Sequence, residues 1–175
     1  MALTQVIGRG LGTQTTLAGS NTLVLDTDGI MTKPLQPAFS AHKNGTDQSN
    51  VSTGAHTTIT WSTERFDVNS DFASNTFTAP VTGKYLFNLN LRLDNIDSAA
   101  NYYVFKIVTS NQEYRTIFDP DFGQDQAYWF VLLSVIADMD ASDTAYATMY
   151  QDGGTAQTDI DGSASYTYFT GCLVC

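Results

Sequence analysis

The sequence predicts an all-β sandwich or jelly roll, and three observations carry that prediction. The first is composition. The 175 residues include 24 Thr, 10 Phe and 9 Tyr, residue types that suit a pleated sheet. Glu, Lys, Arg and Met, which favour helices, are scarce. The second is a clean period of two in Lys84–Leu93 (KYLFNLNLRL). Tyr85, Phe87, Leu89, Leu91 and Leu93 fall on one face, and Leu86, Asn88, Asn90 and Arg92 on the other. The third is the recurrence of Asp-, Gly- and Asn-rich turns at sandwich spacing, enough for about eight to ten strands. No helical period and no longer repeat interrupts the pattern.

Size and charge bound the function classes. A chain of 19.1 kDa with 42% apolar residues suits one domain with a real core and is no disordered segment. Eighteen acids, 16 of them Asp, face eight bases for a net charge of -10. That balance excludes a nucleic-acid binder that works by charge attraction. The longest apolar stretch, Ala127 to Leu133, resumes after Ser134 only as far as Ala137. It falls short of the roughly 20 residues of a membrane helix. Met1 to Leu17 has no apolar core of signal-peptide length. The expectation is a protein that neither inserts into a membrane nor leaves by the usual export route. The sequons at Asn44 and Asn50 then read as chance occurrences.

Taken in order, residues 1–34 stand apart. They hold no aromatic residue, and Arg9 and Lys33 cancel Asp26 and Asp28. A Gly- and Thr-rich segment with short apolar patches (Val6-Ile7 and Leu23, Val24, Leu25) cannot build its own core. It reads as an extended anchoring arm, with Leu23, Val24 and Leu25 as docking residues. Pro34 and Pro37 punctuate the boundary with a head at 35–175. In the head, Phe77 to Val81 leads through Thr82-Gly83 into the Lys84 strand. Tyr102 to Thr109 and Tyr114 to Phe118 pair about a turn at Ser110-Asn111. Trp129 to Ala137 is apolar on both faces except at Ser134. Such a strand is central to a sandwich or lies at a subunit interface. Ala145 to Gln151 turns at Asp152-Gly153-Gly154, and Ser165 to Cys175 closes the chain.

Cys172 and Cys175 are three apart. In an extended tail they point to opposite faces roughly 10 Å apart, beyond the about 7 Å that a disulfide spans. They are expected as free thiols, and a lone C-x-x-C without a second ligand pair is a weak zinc signal.

Four segments resemble the globular head of complement component 1q and its tumour-necrosis-factor-like relatives. They are Pro37–His42 (PAFSAH), Phe77–Phe87 (FTAPVTGKYLF), Asp140–Tyr146 (DASDTAY) and Tyr166–Leu173 (YTYFTGCL). Their order and spacing agree across 35–175. The resemblance implies a ten-strand jelly roll that assembles as a compact homotrimer, a binding module without catalytic machinery. Residues 1–34 carry no collagen-like Gly-X-Y repeat, and Cys172 follows the closing Gly171 where the family has a bulky residue. The arm resembles, by composition, the short N-terminal arms of bacteriophage structural proteins.

Candidate chemistry is sparse. His42 and His56 are the only histidines, and no Ser sits in a G-x-S-x-G setting, so no catalytic residue is expected. Gly8-Arg9-Gly10-Leu11-Gly12 lacks the spacing and the following helix of a phosphate loop. Asp119, Asp121 and Asp125 form the leading candidate for a calcium site, with further Asp clusters at 138–143 and 152–161. Solvated turn carboxylates are the alternative. Trp61, Tyr102, Tyr103, Tyr128 and Trp129 could make a sugar platform or serve core and trimer contacts. Trimer contacts are expected at Trp129, Val131, Leu133, Val135, Tyr166 and Tyr168.

The function expected is structural: a non-enzymatic, homotrimeric decoration protein on the capsid of a phage. It would be assembled in the host cytoplasm, displayed on the virion surface, and joined to other virion proteins by its arm. The alternatives are the tip of a short tail fibre that binds a host-surface glycan or receptor, or a secreted lectin-like ligand-binding trimer.

Overall fold

The computed structural model describes Gln14–Thr16, Val24–Asp26 and residues 28–175. The chain divides into two units between Gln36 and Pro37. In the first unit β1 (Gln14–Thr16), β2 (Val24–Asp26) and β3 (Met31–Thr32) make a small antiparallel sheet in that order. The sequence reading expected no strand there. Its Thr, Val and Leu positions nonetheless pair, with Thr16 opposite Val24 and Val24 opposite Thr32. Of the three expected docking residues, Val24 is buried in β2, Leu25 follows it in the strand, and Leu23 lies outside the described residues.

The second unit is a two-sheet antiparallel sandwich. Its strands are β4 (Ala38–His42), β5 (Thr57–Thr58), β6 (Thr63–Asp67), β7 (Phe72–Ala73), β8 (Thr76–Thr78), β9 (Gly83–Ile96), β10 (Ala100–Thr109), β11 (Glu113–Phe118), β12 (Gln126–Met139), β13 (Thr144–Gly153), β14 (Asp159–Ile160) and β15 (Tyr168–Leu173). One sheet has the order β11-β10-β13-β8-β7, with β5 added to β13. The other has the order β12-β9-β15-β4-β6, with β14 added to β9. This is a jelly-roll sandwich.

The alternation read in β9 is the one that folds. Tyr85, Phe87, Leu89, Leu91 and Leu93 are fully buried, while Leu86, Asn88, Asn90 and Arg92 stay half-exposed. Phe39, Phe77, Phe87 and Phe169 gather between the sheets. Ring centroids lie 5.1 Å apart for Phe39 with either Phe77 or Phe169, and 5.8 Å apart for Phe87 with Phe169. Gly171 makes that approach possible, because it faces the Phe39 and Phe87 rings without a side chain of its own.

Two buried charged groups tie loops to this core. The Asp97 carboxylate accepts the N–H groups of Ala99, Thr155 and Ala156. Burial alone would raise its pKa, but those backbone donors hold it below the usual range. Lys43 is 1% exposed, and its Nζ donates to the Thr60 carbonyl at 2.9 Å, to Thr60 Oγ1 at 3.2 Å and to Gln48 Oε1 at 3.3 Å. Burial lowers its pKa to about 8.

One strand departs from expectation. The apolar run read at Trp129–Ala137 lies in β12, which pairs with β9 alone and forms the edge of its sheet. Apolarity on both faces therefore does not mark a central strand here. Both cysteines are free, Cys172 half-buried and Cys175 exposed.

Candidate functional site

The alternation of β12 separates two sets of side chains. Val131, Ala137 and Met139 are buried, and Leu133 and Val135 pack against the same core. The intervening residues face outward: Tyr128 is 60% exposed, Phe130 43%, Leu132 73% and Ile136 60%. Across the sheet Phe130 stands opposite Arg92, Leu132 opposite Asn90, Ser134 opposite Asn88 and Ile136 opposite Leu86. Apolar residues thus flank a polar step, where Ser134 Oγ donates to Asn88 Oδ1 at 2.8 Å.

At one end of this row the Arg92 guanidinium lies 5.4 Å from the Tyr128 ring and 5.6 Å from the Tyr166 ring. Its Nε donates to Asp94 at 2.9 Å, and a second nitrogen lies 3.7 Å from Asp161. Phe130 meets Tyr166 edge to face at 5.6 Å. The aromatic rings are therefore held in place around a paired cation.

The residues expected at a trimer contact divide between these surroundings. Tyr166 is exposed beside the outward row, and Tyr168 is half-buried under the Arg65 guanidinium. Val131, Leu133 and Val135 point inward. Trp129 packs on Phe118 and Phe122, at 6.0 and 5.0 Å between ring centroids. Of the outward set the sequence reading singled out Tyr128 as a sugar-platform or trimer residue, and missed Phe130, Leu132 and Ile136. The signal was present but sparse: Gln126, Ser134 and Asp138 all fall on the same alternation as the outward set.

Two of the three calcium candidates, Asp119 and Asp125, accept local hydrogen bonds through one carboxylate oxygen. Asp119 Oδ1 accepts the Asp121 N–H at 3.1 Å. Asp125 Oδ1 accepts the Ser98 N–H at 2.9 Å and the Ser98 hydroxyl at 2.7 Å. Among the described residues no three His, Cys, Asp or Glu side chains gather into a metal-binding group. His42 Nδ1 accepts the Asn44 N–H at 3.1 Å, and the exposed His56 ring lies tilted against Tyr150. Of the candidate sugar-platform residues, Tyr103 is fully buried and Trp61 packs on Phe169, whereas Tyr102, Tyr128 and Trp129 reach the surface.

Comparison with solved structures matches this arrangement of strands. The globular domain of zebrafish complement 1qA superposes with a TM-score of 0.57 at 17% identity, covering 80% of this chain and 98% of that one. The head is a complement 1q/tumour-necrosis-factor-like jelly roll. Murine APRIL gives a TM-score of 0.56 at 10% identity, over 79% of this chain and 99% of that one. No protein-family model matches the sequence, and no curated protein does. In this 1q-like head the segments that resembled the family lie in β4, in β8 and the start of β9, at the β12–β13 turn, and in β15 with the residues just before it.

Proposed function

We propose that the chain is a non-enzymatic binding head that works as a homotrimer, and that it serves as a decoration protein on a phage capsid. The outward row Tyr128, Phe130, Leu132 and Ile136 carries the trimer reading. One side of β12 fills the head's own core, and among the described residues the other is a second apolar surface left exposed. Contiguous apolar surface of that kind marks a protein contact. A second copy of the same head suits it, as the resemblance to trimeric jelly rolls implies. Rigid aromatic rings beside the paired Arg92 supply the anchors that such interfaces favour.

The capsid placement is supported by residues 1–34, neutral overall and Gly- and Thr-rich. Their strand β2, with Val24 and Leu25, is already paired on both edges, so strand addition to another virion protein would run along β1 or β3. In a tail-fibre tip the same head would bind a host surface. The second reading, a secreted ligand-binding trimer, is favoured by the likeness to the complement 1qA domain and to APRIL.

Light scattering on the full chain should return three times 19.1 kDa; a stable monomer at micromolar concentration overturns the trimer. Purified particles should sediment with the full chain and not with a chain lacking residues 1–34. Truncated heads that decorate at full occupancy overturn the arm as anchor. Free chain that ignores particles favours the secreted reading.

A further inference from the structure

The outward face of the β11-β10-β13-β8-β7 sheet carries an aromatic row that the proposed trimer contact does not use. His56, just before β5, Tyr150 on β13 and Tyr102 on β10 stand in line. Ring centroids lie 4.9 Å apart for His56 and Tyr150 and 6.0 Å apart for Tyr150 and Tyr102, at interplanar angles of 39° and 29°. His56 and Tyr102, at the two ends, are exposed.

Polar groups are set beside the rings by the strand register, which places Asp152 opposite Tyr102. The Tyr150 hydroxyl donates to Asp152 Oδ1 at 2.7 Å, and Asn101 Nδ2 donates to Asp152 Oδ2 at 2.8 Å. The bonds from Asn101 and Tyr150 hold the Asp152 carboxyl below its usual range, and the same bond to Asp152 pushes the Tyr150 phenol up to about 12. At neutral pH the site presents an ionised carboxylate with lone pairs to spare, a protonated phenol and an amide.

We infer that this is a glycan-binding platform. A pyranose ring lays its C–H face on the aromatic row, while its hydroxyls donate to Asp152 and meet the Asn101 amide. Each half of the site argues for that ligand. An apolar protein surface would cover the rings but strip water from the Asp152–Asn101 pair without replacing it. A polyanionic nucleic acid is opposed by the charge of -10. A sugar satisfies both halves, because it is amphipathic on the scale of one ring. The inference rests on the binding-head reading, but not on the trimer or on the capsid. All of the site belongs to one chain, on the sheet that does not carry the β12 row.

The test uses the full chain on an array of pyranose oligosaccharides that includes chitotriose, mannotriose and lactose. Retained sugars are then titrated by calorimetry, and each sample is weighed by light scattering. At least one oligosaccharide should bind with a dissociation constant between about 10 μM and 1 mM. Tyr102→Ala should weaken it by about tenfold or more. Tyr150→Phe and Asp152→Asn, which keep ring and shape, should weaken it by about three- to tenfold. Failure to retain any sugar, or retention unchanged in Tyr102→Ala and Asp152→Asn, overturns the platform. A monomer that binds sugar keeps this inference and loses the trimer; a trimer that binds none does the reverse.

Discussion

A Cβ on Gly171 would lie 2.6 Å from Cδ1 of Phe87, its register partner on β9. Phe39 Cε1 is equally close on the other side. The position is closed to every side chain unless one of the two rings moves. Gly171→Ala should therefore cost about 1–3 kcal/mol by overpacking, read as a lower urea midpoint at unchanged slope. A midpoint equal to wild type would show that the rings shift freely.

Neighbouring residues on β12 should answer a charge in opposite ways. Leu132→Asp places a carboxylate on the exposed row, so the head should stay folded and lose its partners. Val131→Asp places one in the core, where an unpaired charge is not tolerated, so the head should fail to fold. Light scattering with far-ultraviolet circular dichroism separates the two. A folded trimer from Leu132→Asp removes the outward row from the interface.

Asp97 gives the stability a dependence on acid. Its folded pKa lies below the unfolded value of about 3.9. Its contribution is then fully present above the unfolded value and disappears as pH falls through the folded one. Asp97→Asn should cost about 1–3 kcal/mol at pH 7 and clearly less at pH 3. Equal losses at the two pH values would mean that packing, not the carboxylate charge, holds the loop.

Calcium should leave the melting temperature unchanged. Among the described residues no three carboxylate, His or Cys side chains gather there, and Asp119 and Asp125 are held by the Asp121 N–H and by Ser98 instead. Melting in millimolar calcium and in chelator checks this. A clear rise with calcium would restore the metal site by mass action.

The ease of reading β9 and the difficulty of reading β12 have one cause. In β9 polar Asn88, Asn90 and Arg92 mark the solvent side, so the alternation carries its own phase. In β12 the mark is sparser: Gln126, Ser134 and Asp138 lie on the outward alternation, but between them Tyr128, Phe130, Leu132 and Ile136 make that side almost as apolar as the buried one. The jelly roll was legible because its turns and closing strand are local. The platform of His56, Tyr102 and Tyr150 was not, although Tyr102 was singled out. Its members come from a loop and two strands, and only the register of β10 on β13 brings Tyr102 and Asp152 together. Tyr102 and Tyr103 show the same limit at shortest range. Adjacent in sequence, one is 37% exposed and the other fully buried.

Lys43 makes the head report on its own unfolding. Burial makes its amine less basic than an ordinary lysine's only while the head is folded; once exposed it reacts with an acylating reagent as any lysine does. Enclosed by Thr60 and Gln48, it is out of reach. Brief acetylation of the native protein should mark Lys84, whose side chain is 48% exposed, and leave Lys43 bare. As denaturant rises, the modified peptide carrying Lys43 should grow along the same curve as global unfolding. Peptide mass mapping then gives a footprint of the core that needs no engineered probe. Early labelling at Lys43 would locate a loop that opens before the sandwich does.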